Sequence, residues 1–196
     1  HYASYKGNPL AAEAHVALSM KSIVFIAAHS IPNHVALVYG GDPWREKLRG
    51  GTAGEDPPHN DLTNDIYYIE EPFYPMEHCR FALFWGCETA EANAANARLV
   101  TAANAQGIDV AGGFLRDIEN GPAAAAFIDR FWEYALQGKP DNGGRIRMTV
   151  QEAADAVIEE LDREFGWDHM DGMQWIRFYP QAAADSEELW RVEWGE

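Results

Sequence analysis

Three short, continuous apolar runs constrain the fold of this chain more than any other feature. They cover residues 23–28, 81–85 and, with two glycines inside, 108–115. Apolar runs of this length, without alternating polar residues, are typical of strands that are buried on both faces in a parallel sheet. Helix-forming segments lie between and after the runs. We therefore predict an α/β fold, a three-layer α/β/α sandwich with a mainly parallel sheet.

Helix-forming composition and end signals predict four helices, over residues 8–20, 88–106, 122–138 and 149–165. Pro122 stands at the favoured first position of the third helix, and Gly138 ends it. Thr149 and Glu152 have the spacing of a capping box, which predicts the start of the fourth helix.

The remaining segments are predicted to form strands and loops. The whole chain, residues 1–196, is predicted to form one domain. Residues 34–39 indicate a hairpin arm, residues 40–61 a long surface loop, and residues 62–66 a short helical turn. At the end of the chain, residues 170–196 predict a β-hairpin extension, with strands over 174–179 and 189–194.

The net charge of the chain is −16, from 31 acidic and 15 basic residues. An acidic surface repels nucleic acid and anionic membranes, so neither is a predicted partner. No apolar run approaches the ~20 residues that span a bilayer. No secretory signal opens the chain, and the sequence leaves the localisation undecided between cytoplasmic and secreted.

Cys87 follows one predicted strand, and His29 follows another. The carboxyl ends of parallel strands form the edge where active sites of open α/β sheets lie, so we expect the two side chains to meet there. A neighbouring imidazole and the start of the predicted helix would both favour the nucleophilic thiolate. Cys79 lies about 26 Å away along an extended strand, too far for a disulfide with Cys87.

Each of these residues also has an ordinary structural interpretation. A buried thiol at a strand end is common, and a histidine there can act as a polar cap. His34 is a second candidate for the partner, but it begins a strand rather than following one. A zinc site would have to combine residues that repeat no known ligand spacing, namely His29, His34, His59, His78 and Cys79. No metal or organic cofactor is predicted.

Residues 23–30 read Ile-Val-Phe-Ile-Ala-Ala-His-Ser, and residues 81–90 read Phe-Ala-Leu-Phe-Trp-Gly-Cys-Glu-Thr-Ala. These segments resemble the His and Cys strands of the caspase-like clan of cysteine peptidases, which includes gingipains, clostripain, metacaspases and CHAT domains. Residues 62–66, 107–114 and 127–138 are similar to neighbouring elements of the same clan. The resemblance covers residues 20–160, approximately.

The resemblance implies a cysteine endopeptidase that hydrolyses peptides or proteins through an acyl-enzyme. Cys87 would be the nucleophile and His29 the proton-handling group, without a metal or cofactor. The backbone N–H groups of Ser30 and Cys87 would form the oxyanion hole. Two other functions stay open: a catalytically inactive interaction module, and a non-peptidase hydrolase or transferase with the same dyad.

Four residues are candidates for substrate binding: Trp85, Glu88, Asp117 and Glu119. The ordinary interpretation of Asp117 and Glu119 is that of solvated loop carboxylates, and that of Trp85 is core or pocket wall. Metacaspases have, at the position of Trp85, an acid that recognises Arg or Lys, so their specificity is not predicted here. Ser30 stands where the clan usually has glycine.

The clan's sheet normally has a strand before the His strand. About 20 residues precede that strand here, and they are predicted to be helical. Three interpretations stay open: a fragment that lacks an upstream N-terminal segment, a processed subunit that needs a partner chain, and a minimal version of the fold.

Overall fold

The computed structural model describes residues 11–28, 30–31, 34–36, 46–49, 65–68, 76–91 and 99–189. Ten strands lie in these ranges: β1 Ile23–Ala27, β2 Ser30–Ile31, β3 His34–Ala36, β4 Glu46–Arg49, β5 Asp65–Tyr68, β6 Phe81–Trp85, β7 Val110–Phe114, β8 Lys139–Asp141, β9 Gly144–Ile146 and β10 Ile176–Tyr179. The five α-helices are α1 Ala11–Met20, α2 Leu99–Ala105, α3 Pro122–Gln137, α4 Val150–Phe165 and α5 Gln181–Ala184.

The central sheet has the strand order β1-β6-β7-β10. The first three strands are parallel, and Ala27 of β1 is in register with Trp85 of β6. Strand β10 runs antiparallel to β7. The predicted α/β class with a mainly parallel sheet is confirmed.

Two hydrophobic cores cover the two faces of this sheet. Alternate side chains of β6 point to opposite faces, as the pleat of a strand requires. Phe81, Leu83 and Trp85 pack with the buried faces of α3 and α4. Ala82 and Phe84 pack with residues of α1 and α2. This arrangement is compatible with the predicted α/β/α layers.

Strand β1 is less buried than the sequence predicts. Val24 and Ile26 are buried, but Phe25 is 40% exposed. Among the described strands, β1 lies at the edge of the sheet, which explains the exposure. Its apolar run indicated burial on both faces, and for Phe25 that expectation was wrong.

The two long helices begin and end where the sequence predicts. Pro122 is the first residue of α3, and Gly138 follows its last residue. At α4 the capping box is formed, since the Thr149 hydroxyl accepts from the Glu152 N–H at 3.2 Å and the Glu152 carboxylate accepts from the Thr149 N–H at 2.8 Å.

The segment between β1 and β6 departs from the predictions. Strands β2 and β3 pair antiparallel, which confirms the hairpin arm for residues 34–36, whereas residues 37–39 lie outside the described ranges. The predicted loop over 40–61 contains β4, and the predicted helical turn over 62–66 is wrong for Asp65 and Ile66, which belong to β5. Strands β2 to β5 form a second sheet in sequence order. Residues 62–64 lie outside the described ranges.

The C-terminal part completes the central sheet. Strand β10, which the sequence predicts as one arm of a hairpin, pairs with β7 instead. The other predicted arm extends beyond residue 189, outside the described residues. None of the helices described in this structure has the length and apolar character needed to cross a membrane.

Candidate active site

Cys87 lies in a turn that follows β6 directly. Residues 87–90 form this turn, and Glu88 has a φ of 58°, in the left-handed region that non-glycine residues seldom adopt. The helix predicted from residue 88 onwards is therefore wrong at its start, and no helix begins within residues 87–90. Residues 87–90 therefore provide no helix N-terminus that could stabilise the thiolate of Cys87. Residues 92–98 lie outside the described ranges, and α2 begins at Leu99.

Thr89 connects this turn to strands β6 and β7 by hydrogen bonds. Its side chain is fully buried. Its hydroxyl donates to the Phe84 carbonyl at 2.9 Å and accepts from the Phe114 N–H at 3.0 Å. A Cβ at Gly113 would lie 2.7 Å from that hydroxyl oxygen, which explains the close approach that the two glycines of β7 indicated. The turn therefore has a fixed position relative to β6 and β7.

Gly86 allows the segment after β1 to approach the turn. A Cβ at this position would clash with the Ser30 hydroxyl and lie 2.7 Å from the Ala28 carbonyl oxygen. The Ser30 hydroxyl donates to the Cys87 carbonyl at 2.5 Å. The Ala28 N–H donates to the Trp85 carbonyl at 3.1 Å. The ends of β1 and β6 are thus in direct contact.

The Cys87 thiol faces the loop that follows β7. Its sulfur accepts from the Ile118 N–H at 3.4 Å and lies 3.6 Å from the Ile118 carbonyl, to which the thiol donates. Burial raises the pKa of the thiol, the Ile118 backbone contact opposes this, and the Asp117 and Glu88 carboxylates raise it further. Within the described surroundings the thiol is thus held in its protonated form at neutral pH.

The segment Met170–Trp175 accepts backbone hydrogen bonds from the loop that follows β7. The Leu115 N–H donates to the Trp175 carbonyl at 3.0 Å, and the Glu119 N–H donates to the Asp171 carbonyl at 2.9 Å. Gly172 has a positive φ of 89°, and a Cβ there would clash with the loop backbone at Asp117 and Ile118. The position of Ile118 against the thiol therefore depends on close backbone packing.

A cleft of about 540 Å³ adjoins the turn that carries Cys87; Glu88 of this turn lines the cleft, whereas Cys87 does not. Its wall includes Glu88, Glu91 and Asp117. Burial raises the pKa of Glu88, and hydrogen bonding and charge repulsion from Glu91 raise it further. Three carboxyl groups thus line this cleft, and their mutual repulsion opposes full ionisation of Glu88.

The opposite part of the cleft was missed by the sequence analysis. Arg116 lies over the ring of Trp175, 4.4 Å from its centroid, in a cation–π contact. Gln174 lies beside them, and within the described structure its Oε1 atom is buried without a hydrogen-bond partner. About 60 residues separate the two segments, so no local signal could have joined them.

The structure brings together four of the predicted site residues: Cys87, Ser30, Glu88 and Asp117. Glu119 is exposed, and its backbone, rather than its carboxylate, makes the contact described above. Trp85 is only 5% exposed and packs against Phe114, with ring centroids 5.1 Å apart, so it offers a substrate little surface. Whether the Ser30 and Cys87 N–H groups hold an oxyanion stays a prediction.

The histidines fall mostly outside the part of the chain that the structure describes. This holds for His29 and His59, and for the side chain of His34. His78 is exposed, whereas Cys79 is fully buried, and burial is the main reason that its pKa is raised to about 12. Among the described residues, no group of three or more His, Cys, Asp or Glu could hold a metal. Both cysteines are free thiols.

Replacing Asp117 with asparagine is expected to accelerate alkylation of Cys87 by iodoacetamide at pH 7, by about three- to tenfold. The Asp117 carboxylate raises the pKa of the thiol, so its removal lowers that pKa and increases the thiolate fraction. The measurement is the second-order rate of alkylation as a function of pH. Glu119→Gln removes the same charge two residues further along the loop and should leave the rate unchanged. An unchanged or slower rate in Asp117→Asn would contradict this electrostatic assignment.

No family model matches this chain. A search of the curated proteins finds no match either. The caspase-like resemblance therefore stays a prediction that rests on the motifs around His29 and Cys87.

Proposed function

We propose that this chain is a cysteine endopeptidase with a caspase-like fold, in which Cys87 is the nucleophile and His29 handles the proton. The observation that carries the proposal is the register of β1 and β6, in which Ala27 is paired with Trp85. In the sequence, His29 and Cys87 each follow these paired residues by two positions, after the last residue of β1 and of β6. Parallel strands in register bring equivalent positions to the same edge of the sheet.

The contacts on either side of position 29 support this pairing. His29 itself lies outside the described residues. Its neighbours Ala28 and Ser30 both contact the Cys87 segment, at 3.1 Å to the Trp85 carbonyl and at 2.5 Å to the Cys87 carbonyl. The two residues that flank position 29 in sequence therefore both contact the segment that carries the thiol.

The electrostatics of the thiol define the role that His29 would take. Because burial and two carboxylates raise the pKa of Cys87, the thiol needs a base to become a nucleophile near pH 7. In the proposed reaction, the Cys87 sulfur attacks the peptide carbonyl carbon as its proton passes to His29. That proton then goes to the leaving amine, and water hydrolyses the acyl-enzyme. Backbone N–H groups at Cys87 and Ser30 would stabilise the oxyanion.

The cleft that adjoins the turn of Cys87 suggests the charge of the substrate. Three carboxylates line it, and the whole chain has a net charge of −16. A cationic peptide would be attracted to this surface and an anionic one repelled. The single cation in the described wall, Arg116, is engaged with the Trp175 ring.

One observation favours a second function, that of an inactive caspase-like interaction module. The described surroundings of Cys87 raise rather than lower its pKa, which is the direction expected for an unreactive thiol. The two functions differ in what His29 does. An active peptidase needs His29 to offset these surroundings, whereas an interaction module does not.

A peptide-library digest tests the proposal most directly. The wild-type chain is expected to cut internal peptide bonds, with cleavage sites enriched in basic residues, and Cys87→Ala should cut none. Cleavage that persists at the wild-type rate in Cys87→Ala would contradict Cys87 as the nucleophile. A wild-type chain that cuts no member of the library, while it hydrolyses thioesters or transfers acyl groups, would replace the peptidase with a different hydrolase or a transferase.

A further inference from the structure

We propose that the side-chain hydroxyl of Ser30 is a positioning group that locks the turn carrying the Cys87 nucleophile. This role is separate from that of the Ser30 backbone N–H, and it rests on the proposed function of Cys87. The hydroxyl belongs to a side chain that is only 8% exposed. It donates to the carbonyl of a residue 57 positions away in sequence.

The hydroxyl holds one end of a single peptide group. That group joins Cys87 to Glu88, and its carbonyl oxygen accepts from Ser30 at 2.5 Å. The N–H at the other end of the same group donates to the Arg116 carbonyl at 3.1 Å. Because a peptide group is planar, hydrogen bonds on its two opposite sides restrict its orientation.

This peptide group directly precedes a residue with an uncommon backbone conformation. Glu88 has a φ of 58°, which costs a non-glycine residue free energy and persists only when neighbouring contacts hold it. The contacts come from two separate elements, since Ser30 belongs to β2 and Arg116 to the loop after β7. The Ser30 hydroxyl thus supplies one of the two hydrogen bonds on the Cys87–Glu88 peptide group, beside those that Thr89 makes for the turn.

The same bond sets the position of the thiol. With the Cys87–Glu88 peptide fixed, the Cys87 side chain stays against Ile118, 3.4 Å from its N–H. We call the hydrogen bond from the Ser30 hydroxyl to the Cys87 carbonyl the anchor. In the sequence, Ser30 directly follows the proposed base. A displacement of about 1 Å between reacting groups can slow a reaction by about a hundredfold.

Gly86 shows that the packing accommodates this side chain. Any Cβ at Gly86 would clash with the Ser30 hydroxyl, so the turn has no side chain where that hydroxyl lies. The clan that the sequence resembles usually has glycine at the position of Ser30. A hydroxyl anchor would therefore be a particular property of this chain.

The test compares Ser30→Ala and Ser30→Gly with wild type, by steady-state kinetics and by hydrogen exchange of the Glu88 amide. Both variants should lower kcat about tenfold and change KM by less than about twofold, because the anchor acts on the geometry of attack rather than on binding. The Glu88 amide should exchange about tenfold faster. Thr149→Ala is the matched control, since it removes another buried hydroxyl contact far from Cys87, and it should change neither kcat nor the Glu88 exchange.

Three results would overturn the anchor. These are an unchanged Glu88 exchange rate in Ser30→Ala, a loss of kcat in Ser30→Gly alone, and equal effects in Thr149→Ala. The exchange measurement needs no substrate, so it separates the anchor from the peptidase. A wild-type chain without peptidase activity would sink the proposed function, whereas faster Glu88 exchange in Ser30→Ala would still support the anchor.

Discussion

Replacing either Cys87 or His29 with alanine is expected to lower kcat/KM for a good peptide substrate by at least about a thousandfold. In the proposed reaction Cys87 forms the covalent bond to the substrate, and burial and the Asp117 charge suppress ionisation of its thiol when no base assists. The double variant should be no worse than either single variant, because a nucleophile and its base act as one unit. Initial rates on a fluorogenic peptide, with folding checked by circular dichroism, provide the measurement.

The pH dependence distinguishes the two variants. In His29→Ala the remaining reaction depends on the thiolate, whose pKa is raised above its usual value, so both the residual activity and alkylation of Cys87 should rise through the alkaline range. Wild type should already be active near neutrality. Cys79 is the internal control for alkylation, because it is fully buried with a pKa of about 12 and should stay unlabelled. A His29→Ala variant with the alkylation rate and pH profile of wild type would rule out His29 as the base and favour the interaction module.

Replacing Phe131 with alanine is expected to reduce the free energy of unfolding by about 3–5 kcal/mol. Phe131 is fully buried, and its ring stacks on Phe127 and Phe178 with centroids 5.6 and 6.3 Å away. These contacts join α3 to β10 beneath the sheet. The loss combines the transfer of a large apolar side chain with the cavity that remains.

Urea unfolding followed by tryptophan fluorescence measures this change. Phe131→Leu keeps most of the volume, should cost less than Phe131→Ala, and gives a measurable transition if the alanine variant does not fold. Ile146→Ala is the control, because Ile146 is 51% exposed and its substitution should change the free energy by less than about 0.5 kcal/mol. Similar effects at positions 131 and 146 would contradict the described core.

The sequence predicted those parts of the fold that local signals determine. Strands β6 and β7 are apolar runs, and helix α4 begins at a capping box whose two hydrogen bonds lie within four residues. Strands β4 and β5 are four residues each and polar in part, and they are stabilised by pairing with each other. Pairing between distant segments has no signature in a short window, so both were missed.

The candidate site likewise contains residues that local sequence signals predict and residues that they do not. Cys87 and Ser30 could be predicted because each follows an apolar run, and the parallel sheet brings such positions to one edge. The turn at Glu88 was predicted as helix, since its left-handed backbone is imposed by contacts with Arg116 and Ser30, far away in sequence. The cleft wall at Trp175 depends in turn on packing between two loops. Local propensity could predict neither.

Asp171 connects the loop against Cys87 to the first turn of helix α3. Its carboxylate accepts from the Ala123 and Ala124 N–H groups at the first turn of α3, while its carbonyl accepts from Glu119. Helix α3 in turn packs along α4. Fraying of one helix end would therefore loosen the loop beside the thiol, so that the local stability of α3 and the order of the site change together as one cooperative unit.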